Sequence, residues 1–434
     1  MGGIRPMSDP RAFLDSLFST AVAAAHPAAF LPRLLPAPPQ GRIVLLAAGK
    51  AAGSMAEVAE QVYLDRKGLA PERLTGIAVA RHGYGRPTRV VDMIEAGHPI
   101  PDVAGLAAAE RALEYADAAD TDDLVLVLMS GGASANWIAP AAGITFADKQ
   151  AVTRALLRSG AHIGEINTVR KHLSRIKGGR LARHAFPAKV ATIAISDVPG
   201  DDAAVIGSGP TVPDPSTLAE ARAIVAKYRL AVPEAVTRAL ADPANESPKP
   251  GDKAFDGATY TLAARPADAL AAAEAAARAA GYEVISLGDR VEGEARDVAA
   301  AHAQRARALR EQGKRAVIMS GGELTVTLRG QGRGGPNQEY ALALAIGLAG
   351  MTGVAGIAGD TDGTDGGTGN STDPAGAYVD GGTVIRAEKI GLDPAAFLAD
   401  NDSTEFFTRL GDLLQPGPTY TNVNDFRAIV VDTP

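Results

Sequence analysis

Lys50 closes an apolar run, LLAAGKAAGSM over Leu45–Met55, at the point where a strand gives way to a helix. Gly49 lets the backbone turn there, and a helix start offers unpaired N–H groups and the positive end of its dipole. A lysine in that place meets a phosphate as a compact charge. The Gly-x-x-x-x-Gly-Lys-Ser/Thr pattern is missing, so a plain strand–helix turn with a solvated lysine is an equal reading of this segment alone. Two triplets, Ser130-Gly131-Gly132 and Ser320-Gly321-Gly322, each end an apolar run. Paired glycines permit the close backbone approach that an oxyanion or phosphate needs. Open α/β sheets bind ligands at such strand ends. Tight turns without a ligand are the alternative.

Two further loops carry carboxylates amid Gly, Ser and Thr: ISDVPGDDAAVIGSGPT (195–211) and AGIAGDTDGTDGGTGNS (355–371). Asp197 directly follows one apolar run, while Asp360, Asp362 and Asp365 follow the other. Carboxylates at strand ends suit Mg²⁺, which takes few protein ligands and keeps water and phosphate oxygens. Asp197, Asp360 and Asp362 are the metal candidates, and Asp197 is equally placed to accept a proton. Asx-turns in polar loops are the bland reading.

Gly330, Gly332 and Gly335 spell G-x-G-x-x-G, a dinucleotide-binding fingerprint when it joins a central strand to a helix. The preceding run alternates polar and apolar residues, which ranks nicotinamide binding below phosphate binding. Arg170, Lys171, Arg175, Lys177 and Arg180 fall within one expected helical stretch, Asn167–Leu181, the best local grip for a small carboxylate or phosphate. A solvated helix face is the commoner outcome for most such cations. His98, in a proline-bounded loop, and Trp137 read as structural.

The elements that must position these residues alternate between strand-like and helical segments. Apolar runs lie at 43–48, 76–80, 124–129, 190–195, 260–264, 284–287, 316–319 and 353–358, with helix-forming stretches at 51–63, 105–119, 149–159, 268–280 and 294–311. Several runs are continuous enough for strands buried on both faces. The fold class is α/β, with open parallel or mixed sheets covered by helices. A proline-rich break at 240–257 divides the chain into expected domains 1–245 and 255–434, and the run 426–431 is compatible with either.

At 434 residues, 46% hydrophobic and 21% charged, the chain is long enough for two large cores. A net charge of −7 without a basic stripe argues against nucleic acid and anionic membranes as partners. Cysteine is absent, which removes thiolate chemistry and disulfides and fits a cytoplasmic setting. The N-terminal segment carries Asp9, Arg11 and Asp15, unlike a secretion signal, and Phe13, Leu14, Leu17, Phe18, Ala21 and Val22 recur at helical spacing. No stretch reaches the roughly 20 apolar residues of a membrane span. Both a monomer and a homodimer fit the sequence.

Taken in order, nine blocks resemble the class II glycerate 2-kinases, whose C-terminal part is the MOFRL domain. They are 49–52, 97–102, 130–134, 167–180, 195–211, 320–323, 332–339, 359–373 and 417–425. The resemblance implies a large Rossmann-like domain with a mostly parallel sheet, a smaller α/β domain and an active site in the interdomain cleft. It implies transfer of phosphate from ATP, with Mg²⁺, to the 2-hydroxyl of D-glycerate. The family's catalytic lysine falls on Lys50 and its arginine on Arg333, because Pro336 stands where many members have arginine. Gly49, Ser130, Gly131, Gly132, Ser134, Ser320, Gly321, Gly322, Asn337 and Asn424 become the substrate- or nucleotide-binding positions. Some relatives are labelled hydroxypyruvate reductases, so an NAD(P)H-dependent reductase is the alternative. A non-catalytic sugar-acid or nucleotide sensor is a third reading.

Overall fold

The computed structural model describes residues 9–367 and 369–432. They form two compact units: a large one, Phe30–Ala263, and a small one joining residues 9–29 to residues 264–432.

The large unit is built on six strands: β1 (Ile43–Ala48), β2 (Leu74–Arg81), β3 (Asp92–Ala96), β4 (Leu124–Met129), β5 (Lys189–Ile195) and β6 (Thr259–Ala264). Their order is β3-β2-β1-β4-β5-β6, and the pairs β3–β2, β2–β1, β1–β4 and β4–β5 are parallel. This is the doubly wound order, in which the chain reverses direction across the sheet between β1 and β4 and leaves a crevice at their carboxyl ends. The two strands pair from Ile43↔Leu124 to Ala48↔Met129, so Gly49 and Ser130 leave the sheet at the same level.

Every residue of β1 and β4 is buried. Val44, Leu46, Val125 and Val127 share one core with the alanine face of helix Val103–Asp117 and with Ile176, Leu181 and Trp137. By contrast, β3 (DMIEA) is an edge strand with Asp92 and Glu95 exposed, too polar to be expected from its sequence. A second cluster, including Val152, Leu156, Ile166, Val169, Ile224 and Val236, holds four helices together: Phe146–Arg158, Ile163–His172, Leu218–Lys227 and Glu234–Ala241.

The basic stretch 167–181 is not one helix. Its first helix ends at His172, the chain turns through Gly178 and Gly179 with φ of 59° and 80°, and a new helix starts at Arg180. Only glycine adopts that left-handed pair cheaply, and the turn brings Lys177 back toward Arg170.

In the small unit, β9 (Arg315–Ser320) and β11 (Val354–Asp360) flank β14 (Asp425–Asp432), which is antiparallel to both. The sheet is completed by β7 (Glu283–Ser286), β12 (Gly376–Asp380) and β13 (Leu413–Leu414), in the order β13-β12-β11-β14-β9-β7. A separate parallel ribbon pairs β8 (Val291–Glu294) with β10 (Gly322–Thr325). The last strand therefore lies at the centre of the small unit.

The N-terminal helix Pro10–Ala25 also belongs to the small unit rather than to residues 30–263. It buries Leu14, Leu17, Phe18 and Ala21, with Phe18 edge-on to Phe426 and Phe13 stacked on Tyr282 at 5.1 Å. Among the described residues no helix is long and apolar enough to cross a membrane.

The expected linker 240–257 stays on the large unit and runs into β6, so the boundary lies at 263–264 rather than 245–255. Glu246 anchors it: one oxygen lies 3.0 Å from His172 Nε2, and the other accepts the Leu218 amide at 3.1 Å. Burial pushes the Glu246 carboxyl up, but Lys249, the Leu218 amide and His172 outweigh it and hold the group down at about 2. The unfolded carboxyl titrates near 4.5. The stability from this anchor is therefore present above about pH 4.5 and lost as pH falls toward 2. With the side chain 35% exposed, solvent screening limits it to about 1 kcal/mol. Urea titrations followed by Trp137 fluorescence should show Glu246→Gln weaker than the parent by about that amount at pH 7, with the gap narrowing below about pH 4.5 and closing as pH falls through about 2. A gap independent of pH would refute the anchor's electrostatic origin.

Candidate active site

At the carboxyl end of β1, Gly49 has φ 117°, and a Cβ there would collide with the hydroxyl and carbonyl oxygens of Ser130. The contact brings the two loops into register. The Lys50 amide donates to Gly131 O at 2.8 Å, and the Ala51 amide donates to Ser130 Oγ at 2.9 Å. Gly49 N–H is itself taken by Val79 O. The amides after β1 are thus satisfied internally. Among the described residues, those of Gly131 and Gly132 have no protein acceptor. Two successive open N–H groups make an anion cradle, and it belongs to the loop after β4.

Around the cradle stand side chains from four other segments. A Cβ built on Gly132 would lie 3.0 Å from the His98 ring and 3.3 Å from Lys50 Cγ. His98 follows β3, whose end is tied to the β4 loop by Asn136 Nδ2, donating to Gly97 O at 3.2 Å. Ser134 Oγ takes Arg170 Nη2 at 3.0 Å and Lys177 Nζ at 2.9 Å, and lies 2.8 Å from Ser208 Oγ. Asp197 is partly exposed in the loop after β5, the strand beside β4. Gly49, Lys50, Ser130, Gly131, Gly132 and Ser134 therefore share one edge of one sheet. His98, expected to be structural, joins them. It would have been found had the polar edge strand β3 been recognised, since His98 then stands at a strand end like the others.

The remaining candidates share an edge of the small unit, where β9 and β11 end and β14 begins. Arg427 Nη1 donates to Gly321 O at 2.9 Å and reaches Ser320 Oγ at 3.4 Å. The Gly321 amide binds Gly288 O, and Gly322 opens β10, so this Ser-Gly-Gly serves strand pairing. It resembles the first triplet in sequence but leads into a strand instead of a helix.

Asn337 is 1% exposed, its Nδ2 donating to Asp425 at 2.6 Å and to Asp365 at 3.3 Å. Asn424 accepts the Thr361 amide through its own carbonyl at 3.0 Å. Asp362 accepts the Thr364 amide at 2.8 Å, and Asp360 accepts the Asp362 amide at 2.9 Å. These are Asx-turns that shape the loop. Among the described residues no three His, Asp or Glu side chains group to hold a metal ion.

Arg333 is exposed, its backbone held by Asp402 Oδ1 at 3.0 Å and by the Thr404 amide at 2.9 Å. Asp365, absent from the expected site, accepts the amides of Asn337 and Gln338 at the start of helix Pro336–Leu348. Burial raises its carboxyl to about 7 against the pull of those amides, and the charge of Asp425 adds to the rise. A cavity of about 700 Å³ in the same unit, lined by Arg11, Tyr378, Arg386, Asp412 and Asp432, lies at the end of β11 away from Asp360. Arg386 pairs there with Asp412, as does Arg11.

Comparison with known proteins supplies the family. Residues 13–241 match a domain of unknown function, DUF4147, and residues 316–425 match the MOFRL family. A chain of Agrobacterium vitis, provisionally named as a hydroxypyruvate reductase, is 46% identical over 97% of this chain and 94% of its own length. The D-glycerate 2-kinase of Thermotoga maritima is 38% identical over 93% of this chain and 94% of its own. The crystal structure of a glycerate kinase from Thermotoga maritima superposes with a TM-score of 0.85 at 36% identity, covering 97% of this chain and 99% of that one. This chain belongs to the glycerate kinase family that carries a DUF4147 region followed by a MOFRL region.

Proposed function

We propose that this chain is an ATP-dependent glycerate 2-kinase, moving the γ-phosphoryl group of ATP to the 2-hydroxyl of D-glycerate and releasing ADP and 2-phosphoglycerate. One observation carries the reading: Lys50 is held beside the open amides of Gly131 and Gly132, at the point where a doubly wound sheet reverses its strand order. Phosphoryl transfer asks for positioning and neutralisation of charge rather than covalent help. A lysine beside two open N–H groups can supply both. The kinase names of the Thermotoga relatives support the choice of substrate.

In this reading the substrate hydroxyl oxygen bonds to the γ-phosphorus as the bond to the β–γ bridging oxygen breaks. Asp197, at the end of β5, takes the hydroxyl proton. Lys50 and the two amides stabilise charge on the phosphoryl oxygens, and Arg333 is the second cation that the family pattern assigns. The donor set is hard oxygen, with no preassembled cage among the described residues. That fits a Mg²⁺ held by one or two carboxylates, with Asp197, Asp360 and Asp362 as candidates. Bound there, Mg²⁺ would neutralise the phosphate oxygens. A need for ATP points to the cytoplasm.

The reductase reading rests on the G-x-G-x-x-G match and on the name of the Agrobacterium relative. Two features weigh against it. The G-x-G-x-x-G residues follow the two-stranded ribbon rather than a central strand, and added Cβ atoms there would strike Asp400, Asp402 and Asp365. In the doubly wound sheet, β2 ends at Arg81, which weighs against NAD, whose ribose wants an acid there, but not against NADP, whose 2′-phosphate an arginine suits.

Purified protein with D-glycerate, ATP and Mg²⁺ should yield product that enolase consumes without added mutase. No such product, together with NADH oxidation on hydroxypyruvate, would establish the reductase instead. Lys50→Ala should lower kcat by about 10²- to 10³-fold, the usual cost of one charge-stabilising donor. Full kcat in that variant would remove Lys50 from the mechanism.

A further inference from the structure

Arg170 and Lys177 form a feature that charge stabilisation at Lys50 does not use. Lys177 is 1% exposed, and its Nζ donates to Ser134 O at 2.8 Å as well as to Ser134 Oγ. The two donors fill both lone pairs of the Ser134 hydroxyl, so its proton must point to Ser208 Oγ. The Ser208 proton is then directed at some other acceptor. Ser208 is 2% exposed and holds φ at 65°, a strained conformation for a residue with a side chain.

Among the described residues neither Arg170 nor Lys177 forms an ion pair, although neighbours do: Lys171 with Asp214 at 3.4 Å and Arg183 with Asp252 at 2.7 Å. Another buried cation, Lys149, is taken by the carbonyls of Arg170 and Leu173. Burial pushes Lys177 and Arg170 below their ordinary pKa values, and each neighbouring cation lowers Lys177 further. A buried cation beside another cation and without a carboxylate destabilises the fold unless something else supplies the charge. What remains unfilled is mostly donors: part of a guanidinium, one ammonium hydrogen and the Ser208 hydroxyl proton. A planar guanidinium fits a carboxylate edge-on. Ser134 lies two residues beyond Gly132, so this cluster flanks the Lys50 cradle within one unit.

We propose that Arg170, Lys177 and the Ser208 hydroxyl form the subsite for the carboxylate of the acceptor, a short 2-hydroxy acid whose hydroxyl thereby faces the loop beside Lys50. The identity of the acid rests on the kinase reading; the carboxylate subsite itself is tested by binding alone.

Calorimetric titration of the full chain with D-glycerate, with ADP and with inorganic phosphate, each separately, reads the subsite directly. D-Glycerate should bind the parent protein. Arg170→Met should raise its Kd by about 10- to 100-fold, the scale of one charged hydrogen bond, while the Kd for ADP stays within about 2-fold. Loss of ADP or inorganic phosphate binding, with D-glycerate binding retained, would assign the cluster to nucleotide phosphates and overturn the proposal. So would the absence of D-glycerate binding to the parent.

Ser208→Ala leaves both cations in place and should weaken D-glycerate by about 3- to 10-fold. Lys177→Met removes a buried charge that lacks a counter-ion. Its Tm without ligand should match or exceed the parent's, while the rise caused by D-glycerate disappears. A fall of several degrees, with that rise retained, would make Lys177 structural and overturn the proposal. Glycerate kinase activity with an unchanged glycerate KM in Arg170→Met sinks the subsite and leaves the kinase reading intact. Glycerate binding through the cluster without phosphorylation does the reverse.

Discussion

The close approach of Gly49 to Ser130 governs the chemistry of the large unit. With no Cβ at 49, the Ser130 hydroxyl caps the Ala51 amide, and Gly131 O receives the Lys50 amide. Each bond is worth about 1 kcal/mol net, and a buried donor left unmade would cost more. The geometric result matters more than the energy. With its hydroxyl and the Gly131 carbonyl engaged toward β1, the loop turns the N–H groups of Gly131 and Gly132 away from the protein's own acceptors. The lysine backbone is fixed beside the cradle by the same bonds. That coupling depends in turn on β1 and β4 ending level in a parallel register, which their buried aliphatic residues enforce.

The small unit solves a different problem, the start of a helix with no capping side chain. Gly335 occupies the N-cap, and Pro336 at N1 has no N–H to satisfy. The Asp365 carboxylate, reaching in from the loop after β11, takes the next two amides, and Asn337 ties it to Asp425 beside Arg427. Proline at position 336 is therefore locally comfortable. Arg333, three residues upstream, lies in a segment pinned by Asp400, Asn401 and Asp402.

The elements legible in the sequence were those whose burial left a pattern. Continuous aliphatic runs marked β1, β4, β5 and β11, and the spacing of Leu14, Leu17, Phe18 and Ala21 marked the first helix. Short or polar strands such as β3, β8 and β13 leave no such pattern, because an edge or a two-residue ladder needs little apolar surface. Long-range pairing was equally hidden. Nothing local says that the first helix packs on Phe426 near the other end of the chain, or that the final strand inserts between β9 and β11. Within the candidate site, Lys50 and the first Ser-Gly-Gly could be read from glycine at strand ends. His98 could not, because its strand went unseen. The second Ser-Gly-Gly looked the same as the first until the direction of the chain after it was known.

The break at Gly178-Gly179 shows why pattern alone misjudges charge. Five cations within fifteen residues read as a solvated helix face, and in a protein of net charge −7 most of them should find carboxylates. Lys171 does, and Arg180 is bound by the carbonyls of Lys171 and Lys177. The turn folds Lys177 inward against Ser134, where its charged neighbours among the described residues are the cations Arg170 and Lys149. A protein selected for stability alone would replace such a pair with apolar side chains of similar volume. An acidic chain that must hold an anion cannot rely on its overall field. It needs a few cations kept from their own carboxylates by burial, and the helical layer over β4 and β5 provides that enclosure.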